Sequence, residues 1–196
     1  MKHSTKIAII GLGYVGLPLM VEFSKKFSVI GFDINTSRVE SLKNLVDETR
    51  EVTAKDLSRI KNNLYADSTS LENKDFFIVT VPTPINKNKS PNIQALKSAC
   101  KMIGSYLKAG NCVIFESTVY PGLTEEICVP ILEKISHLKL NRDFSVGYSP
   151  ERINPGDKQR KLAQITKIVS ASNPKALKQV DQLYSSIITA GTHRVL

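Results

Sequence analysis

The sequence predicts an α/β fold: a doubly wound, mainly parallel sheet with helices on both faces. Two observations predict it. Short apolar runs alternate with helix-length segments along the whole chain. The runs are β-branched and almost continuously apolar, as strands buried on both faces must be. No internal repeat and no low-complexity linker divides the 196 residues, so residues 1–196 read as a single domain.

The elements follow in order. KIAIIG (Lys6–Gly11) is the first strand, and Tyr14 to Lys26 is helical. FSVIGFD (Phe27–Asp33) is the second strand, followed by helical patterns over Ser37–Leu45 and Lys55–Asn62. FFIVTVP (Phe76–Pro82) is a third strand. Pro91-Asn92 then opens a helix over Ile93–Leu107 with an asparagine cap. CVIFEST (Cys112–Thr118) is a strand and Thr124–Ile135 a helix. FSVGYSP (Phe144–Pro150) and TKIVSAS (Thr166–Ser172) are strands, and Pro174–Ile187 is the last helix.

Composition narrows the function classes. With 41% hydrophobic and 23% charged residues, the chain has ordinary globular material and a real core. No apolar run approaches the roughly 18–20 residues that span a bilayer, so no membrane partner is expected. The start, MKHSTKIAIIG, has no signal-peptide pattern, and Cys100, Cys112 and Cys128 share no metal spacing. Reduced thiols, a cytoplasmic setting and no metal are expected. The net charge is +9, but the lysines are scattered and the densest clusters, Asn86–Ser90 and Asp157–Lys161, carry no interleaved aromatics. That favours anionic small molecules over nucleic acid. His3, His137 and His193 have no partner motif.

The chemistry is concentrated in GLGYVGLPLM (Gly11–Met20), which lies between the first strand and the first helix. Gly11 can take the tight turn. Gly13 leaves the backbone open to a diphosphate. Gly16 lets the helix pack close to the strand. The free N–H groups of the first turn, with the helix dipole behind them, can hold phosphates, and Pro18 falls where a missing N–H costs least. The second strand ends in Asp33, 22 residues after Gly11, where a carboxylate accepts hydrogen bonds from an adenosine ribose. The set marks a Rossmann-like dinucleotide site. Asp33 favours NAD over NADP, whereas Arg38, close by, is a residue type that can accept a 2′-phosphate.

Three later loops also follow strands, where ligands of such sheets bind. VPTP (Val81–Pro84) places Thr83 there and ESTVYPG (Glu116–Gly122) places Thr118. Their hydroxyls either face the cofactor and reacting centre or cap the next helices. YSPERINPGD (Tyr148–Asp157) carries Glu151 and Arg152, either as site residues or as a surface ion pair.

GLGYVGLPL, Asp33, VPTP, ESTVYPG and YSPERINPGD, in that order, resemble the N-terminal NAD-binding domain of the UDP-glucose/GDP-mannose dehydrogenase family. The likeness covers essentially the whole chain. Within the family it is most similar to the bacterial UDP-N-acetylhexosamine 6-dehydrogenases of capsule and Vi-type polysaccharide synthesis, and the PERINPGD loop carries that finer likeness. The resemblance implies oxidation of a nucleotide-sugar C6 hydroxyl to the uronic acid in two hydride transfers to NAD. A cysteine captures the intermediate aldehyde, and water releases the acid. It implies that Gly11, Gly13, Tyr14, Val15, Gly16, Asp33, Arg38 and Thr83 hold NAD. Thr118 would lie beside the nicotinamide and help order a water, Glu151 would be the general base, and Arg152 and Ile153 would contact the sugar nucleotide. The implied substrate is a UDP-N-acetylhexosamine, UDP-GlcNAc first, and the implied assembly is a homodimer.

This chain departs from the pattern in two ways. UDP-glucose dehydrogenases carry a second glutamate in a PEFLxEG loop, where this chain has Pro155, which argues for an N-acetylated sugar. The sequence also ends at HRVL, before the family's nucleophilic cysteine, its lysine and asparagine, its central helix and its UDP-binding C-terminal domain. The expectation is therefore the cofactor half of a longer enzyme, inactive by itself. Two other classes share the glycine motif: a non-catalytic NAD-sensing module, and a two-electron dehydrogenase of the 6-phosphogluconate or hydroxyacyl type. Neither needs ESTVYPG or PERINPG.

Overall fold

The chain winds strand by strand through β1 (Lys6–Ile10), α1 (Gly16–Ser24), β2 (Ser28–Phe32), α2 (Thr36–Lys43), α3 (Ala54–Ile60) and β3 (Leu64–Tyr65). It continues through β4 (Phe76–Val79), α4 (Gln94–Gly104), β5 (Cys112–Phe115), α5 (Val129–Ser136), β6 (Ser145–Tyr148), β7 (Lys167–Ala171), α6 (Pro174–Ser185) and β8 (Thr192–Arg194). The structure is a computed structural model that describes residues 5–151 and 162–195.

The eight strands form one sheet in the order β3-β2-β1-β4-β5-β6-β7-β8. The chain steps outward from β1 to β3 and then returns to β4 on the other side of β1. Crossovers leave the ends of β1 and β4 in opposite directions, which opens a crevice beyond their carboxyl ends. All pairs from β3 to β6 are parallel, and β7 joins β6 antiparallel, with Gly147 opposite Ala171 and Tyr148 opposite Ser170.

Alternation within the central strands divides the core into two layers. Ile7, Ile9, Phe76, Ile78, Cys112 and Ile114 face α1, α2, α3 and α6, and pack with Leu17, Met20, Phe23, Val180 and Tyr184. Ala8, Ile10, Phe77, Val79, Val113 and Phe115 face α4 and α5, and pack with Leu96, Cys100, Ile103 and Leu132. A side-chain period of two on a strand buried on both faces produces this split. No helix among the described residues is long and apolar enough to cross a membrane.

The expected elements are present; most have shorter ends, while α2 and α3 begin one residue earlier than expected and α5 ends one residue later. The expected asparagine cap of α4 is not formed: Ile93 takes the N-cap position without a side-chain cap, and Asn92, one residue earlier, accepts from Gln94 N through Oδ1 at 3.0 Å in a local turn. The segment after Gly122 begins with a wide π turn, Thr124–Cys128, before α5. Pro130 has no N–H to return to the carbonyl four residues back, and a widened turn accommodates that loss. The edge strands β3 and β8 are too short to leave a pattern in the sequence.

Candidate functional site

The glycine turn is built as its residue types require. Gly11 has φ +98°, a conformation side chains rarely adopt, and its N–H donates to the Phe32 carbonyl at 2.8 Å. A Cβ on Gly16 would stand 1.9 Å from the Gly11 carbonyl oxygen and 2.4 Å from Thr80 Oγ1, so α1 packs against the turn at a distance only glycine allows. Thr80 Oγ1 secures the turn by donating towards the carbonyls of Gly11 (2.7 Å) and Ile10 (3.0 Å). Among the described residues, and beyond its own chain neighbours, a Cβ on Gly13 would meet no atom within 4 Å. The space over Gly13 is therefore open for a ligand. No side chain caps α1, so its dipole and first-turn amides face the same opening.

Asp33 follows β2 and is gripped by backbone. Leu12 N donates to Oδ2 at 2.8 Å and Asn35 N to Oδ1 at 2.9 Å, which fixes the carboxylate beside the glycine turn. Arg38 lies on α2 with its guanidinium tied into the protein. Nε donates to the Leu12 carbonyl at 3.0 Å, and Nη2 pairs with Asp47 Oδ1 at 2.8 Å. Its third nitrogen, Nη1, is buried with no protein partner among the described residues. Burial works against the Asp47 charge, but Thr49, Arg38 and the amides of Val52 and Glu51 hold the carboxyl below its ordinary range.

The loops after β4 and β5 are tied together. Thr83 Oγ1 donates to the Thr118 carbonyl at 2.7 Å, and Ser117 Oγ donates to the Val81 carbonyl at 2.6 Å. Thr83 and Thr118 thus share one wall of the crevice.

Glu151, just past β6, reaches the same wall and belongs to a buried network that the sequence reading missed. Lys167 Nζ lies 2.5 Å from Glu116 Oε2, 3.2 Å from Glu151 Oε2 and 3.3 Å from the Pro150 carbonyl. The Tyr184 hydroxyl donates to Glu116 Oε1, and Lys167 Nζ stands 5.9 Å from the Tyr184 ring centroid. Burial opposes the Lys167 charge, but Glu116 and Glu151 more than offset it and hold the ammonium above its ordinary range. Burial and Glu116 push the Tyr184 phenol well up, so it remains a donor. The available signal was a charged residue at each end of an apolar strand pattern: Glu116 closing CVIFE and Lys167 opening KIVSA.

These walls enclose a cleft of about 650 Å³, within the few hundred to ~1,000 Å³ usual for small-molecule sites. Gly11, Gly13, Tyr14, Val15, Asp33, Arg38, Thr83, Thr118 and Glu151 all line it, and Gly16 sits behind it as packing. Arg152 and Ile153 lie outside the described residues. The cleft suits NAD by its own features: open backbone and helix N-terminus for the diphosphate, the Asp33 carboxylate for a ribose, and the unpartnered Arg38 Nη1 as a further donor. Cys100, Cys112 and Cys128 are buried and none lines the cleft. Burial pushes the Cys112 thiol up to about 12.

Comparison with known proteins supplies the context for this geometry. A family model described as "UDP-glucose/GDP-mannose dehydrogenase family, NAD binding domain" matches residues 5–188. A UDP-N-acetyl-D-glucosamine 6-dehydrogenase of Pseudomonas aeruginosa is 53% identical over 190 residues, covering 96% of this chain and 45% of the relative. One of the same name from Salmonella typhi is 50% identical with the same coverage. The solved structure of a UDP-D-ManNAc dehydrogenase from Pyrococcus horikoshii superimposes with a TM-score of 0.89 at 27% identity, covering 97% of this chain and 47% of that one. The chain spans less than half the length of the curated relatives it matches.

Proposed function

This chain belongs to the UDP-glucose/GDP-mannose dehydrogenase family, as its NAD-binding domain, and on that premise we propose that it serves a nucleotide-sugar 6-dehydrogenase. In this reading the whole protein oxidises the C6 hydroxyl of a UDP-N-acetylhexosamine, UDP-GlcNAc first, to the uronic acid for surface polysaccharide synthesis. NAD, when bound, accepts the hydride in each of the two oxidations. The observation that carries the reading is a carboxylate, Glu151, in the same cleft as Asp33 and the open glycine turn. A nucleotide-sensing site has no need of a base at that end. The identity to the two glucosamine 6-dehydrogenases supports the choice of sugar.

The roles in this reading are those that the family resemblance implies, and the shared cleft of Gly13, Asp33, Thr118 and Glu151 supports them. The backbone at Gly13 and the N-terminus of α1 take the diphosphate, and Asp33 takes the adenosine ribose. Thr118 lies at the reacting end, where it orders water. Glu151 is the general base and takes a proton from the water that attacks the thioester and releases the acid. Arg152 and Ile153, next in sequence, contact the sugar nucleotide. The nucleophilic thiol is supplied by the remainder of the longer protein, because the three cysteines of this chain are core residues. The same reading places the enzyme in the cytoplasm as a homodimer.

The test is stoichiometric. The full-length protein is given excess NAD and a limiting amount of UDP-GlcNAc, UDP-GalNAc, UDP-ManNAc or UDP-glucose, and NADH is counted per sugar. Two NADH with an N-acetylated sugar are expected. One NADH means that oxidation stops at the aldehyde and overturns the double oxidation. No NADH from any sugar, with NAD still bound, overturns the substrate class.

A further inference from the structure

Three groups from three elements surround the inner end of the cleft, and only one of them lines it along with Glu151. Glu116, at the end of β5, lines the cleft, whereas Lys167 on β7 and Tyr184 on α6 lie behind it. Lys167 is 2% exposed and Glu116 is 1% exposed. A buried ammonium has three N–H donors to satisfy. Among the described residues, Lys167 has three oxygens within 3.3 Å: one from Glu116, one from Glu151 and the Pro150 carbonyl. Two of those three contacts fall on consecutive residues, Pro150 and Glu151. The ammonium therefore grips both the backbone and the side chain at the point where the chain leaves β6.

We propose that Lys167 is a positioning residue that sets the Glu151 carboxylate at the reacting end of the cleft, and that Glu116 and Tyr184 hold Lys167 in place. The ordering runs inward to outward. Tyr184 donates to one oxygen of Glu116, the other oxygen of Glu116 takes Lys167, and Lys167 reaches Glu151. Electrostatics and geometry act together here. Glu151 and Glu116 approach the same cation from two sides, so without the cation two carboxylates would face each other. That arrangement favours protonation of one of them. Among the described residues, Tyr148 of β6 and Tyr184 are the other titratable groups around the pair, and burial raises both.

The inference rests on the reading of Glu151 as the base, so its test has one readout that needs no turnover. Full-length protein is labelled with ¹³C at the glutamate carboxyls, and the Glu151 signal is identified by its loss in Glu151→Gln. In Lys167→Met the Glu151 carboxyl signal is expected to move away from its wild-type chemical shift, because the ammonium 3.2 Å from Oε2 is gone. In Lys167→Arg, which keeps the cation, it is expected to stay near the wild-type value. With NAD and the nucleotide sugar, kcat of Lys167→Met is expected to fall about ten- to a hundredfold. NAD affinity is expected to stay within about twofold, because Lys167 does not line the cleft. Lys167→Arg restores most of kcat.

Lys167→Met leaves Glu116 buried without its cation and so endangers folding. The double variant Glu116→Gln with Lys167→Met removes both buried charges, and its kcat is expected to fall as far as that of the single variant. A Lys167→Met Glu151 signal and kcat equal to wild type, or a double variant that turns over at the wild-type rate, overturns the inference. If the wild type oxidises no nucleotide sugar, the proposed function fails, and the Glu151 carboxyl signal in Lys167→Met, with its recovery in Lys167→Arg, alone decides the positioning role.

Discussion

The hydroxyl of Thr83 donates to the backbone carbonyl of Thr118 at 2.7 Å, joining loops that are 35 residues apart in sequence. Its proton is used within the protein, so Thr83 acts first as a clamp between the walls after β4 and β5. Thr83→Val in the full-length protein is expected to weaken NAD by about fivefold, the equivalent of one hydrogen bond of ~1 kcal/mol. Calorimetric titration reads it. An unchanged affinity would mean that the clamp does not shape the cleft.

Gly13 and Gly16 separate binding from stability. Alanine at Gly16 drives a methyl into the Gly11 carbonyl and Thr80 Oγ1, and is expected to cost about 3 kcal/mol or more in chemical denaturation. Among the described residues, alanine at Gly13 meets no atom beyond its own chain neighbours. It is expected to leave stability within about 0.5 kcal/mol and to weaken NAD by tenfold or more, about 1.4 kcal/mol. Equal losses of stability at the two positions would contradict the assignment of the open space over Gly13 to a ligand.

Asp33 should govern the choice between NAD and NADP. Its carboxylate is fixed by the Leu12 and Asn35 amides, while the buried Arg38 Nη1 has no partner among the described residues. Asp33→Ser is expected to weaken NAD and move the ratio of the two dissociation constants towards NADP by about tenfold, roughly 1.4 kcal/mol. Parallel titrations with both cofactors check it.

Asp47 ties stability to acid. Its carboxyl is held below the ordinary value in the folded protein, so its contribution is fully present above the unfolded pKa of 3.8 and is lost as pH falls through the folded value. Asp47→Asn is expected to destabilise the protein by about 2 kcal/mol at neutral pH, the scale of hydrogen bonds to a charged group. The gap between wild type and variant should close below about pH 4. A gap independent of pH would remove the Asp47 charge from the account.

Glu151→Gln in the full-length protein is expected to lower kcat about a hundredfold or more and to leave an acyl adduct on the protein that intact-mass spectrometry detects. Retention of the rate would favour a dehydrogenase that performs a single oxidation.

Much of this molecule can be read one residue after another. Apolar runs such as KIAII and CVIF declare strands buried on both faces. The spacing of Gly11, Gly13, Gly16 and Asp33 is local enough to imply a turn, a helix N-terminus and a ribose contact. The structure brings Gly11, Gly13 and Asp33 into one cleft with Thr83, Thr118 and Glu151, as their positions after strands suggested, and packs Gly16 behind it. The sequence by itself determined the layer order, the cofactor end of the site and the family, because periodicity, turn chemistry and motif spacing act over short stretches.

Tertiary structure alone decided the other end of the site. Lys167 and Glu116 are 51 residues apart, and Tyr184 and Glu116 are 68 apart. Nothing in KIVSA or CVIFE says that one charge answers the other. Their pairing depends on β7 entering the sheet antiparallel beside β6 and on α6 covering that side of the core. A buried charge is tolerated only where a partner compensates its lost hydration, and which partner arrives is a property of topology.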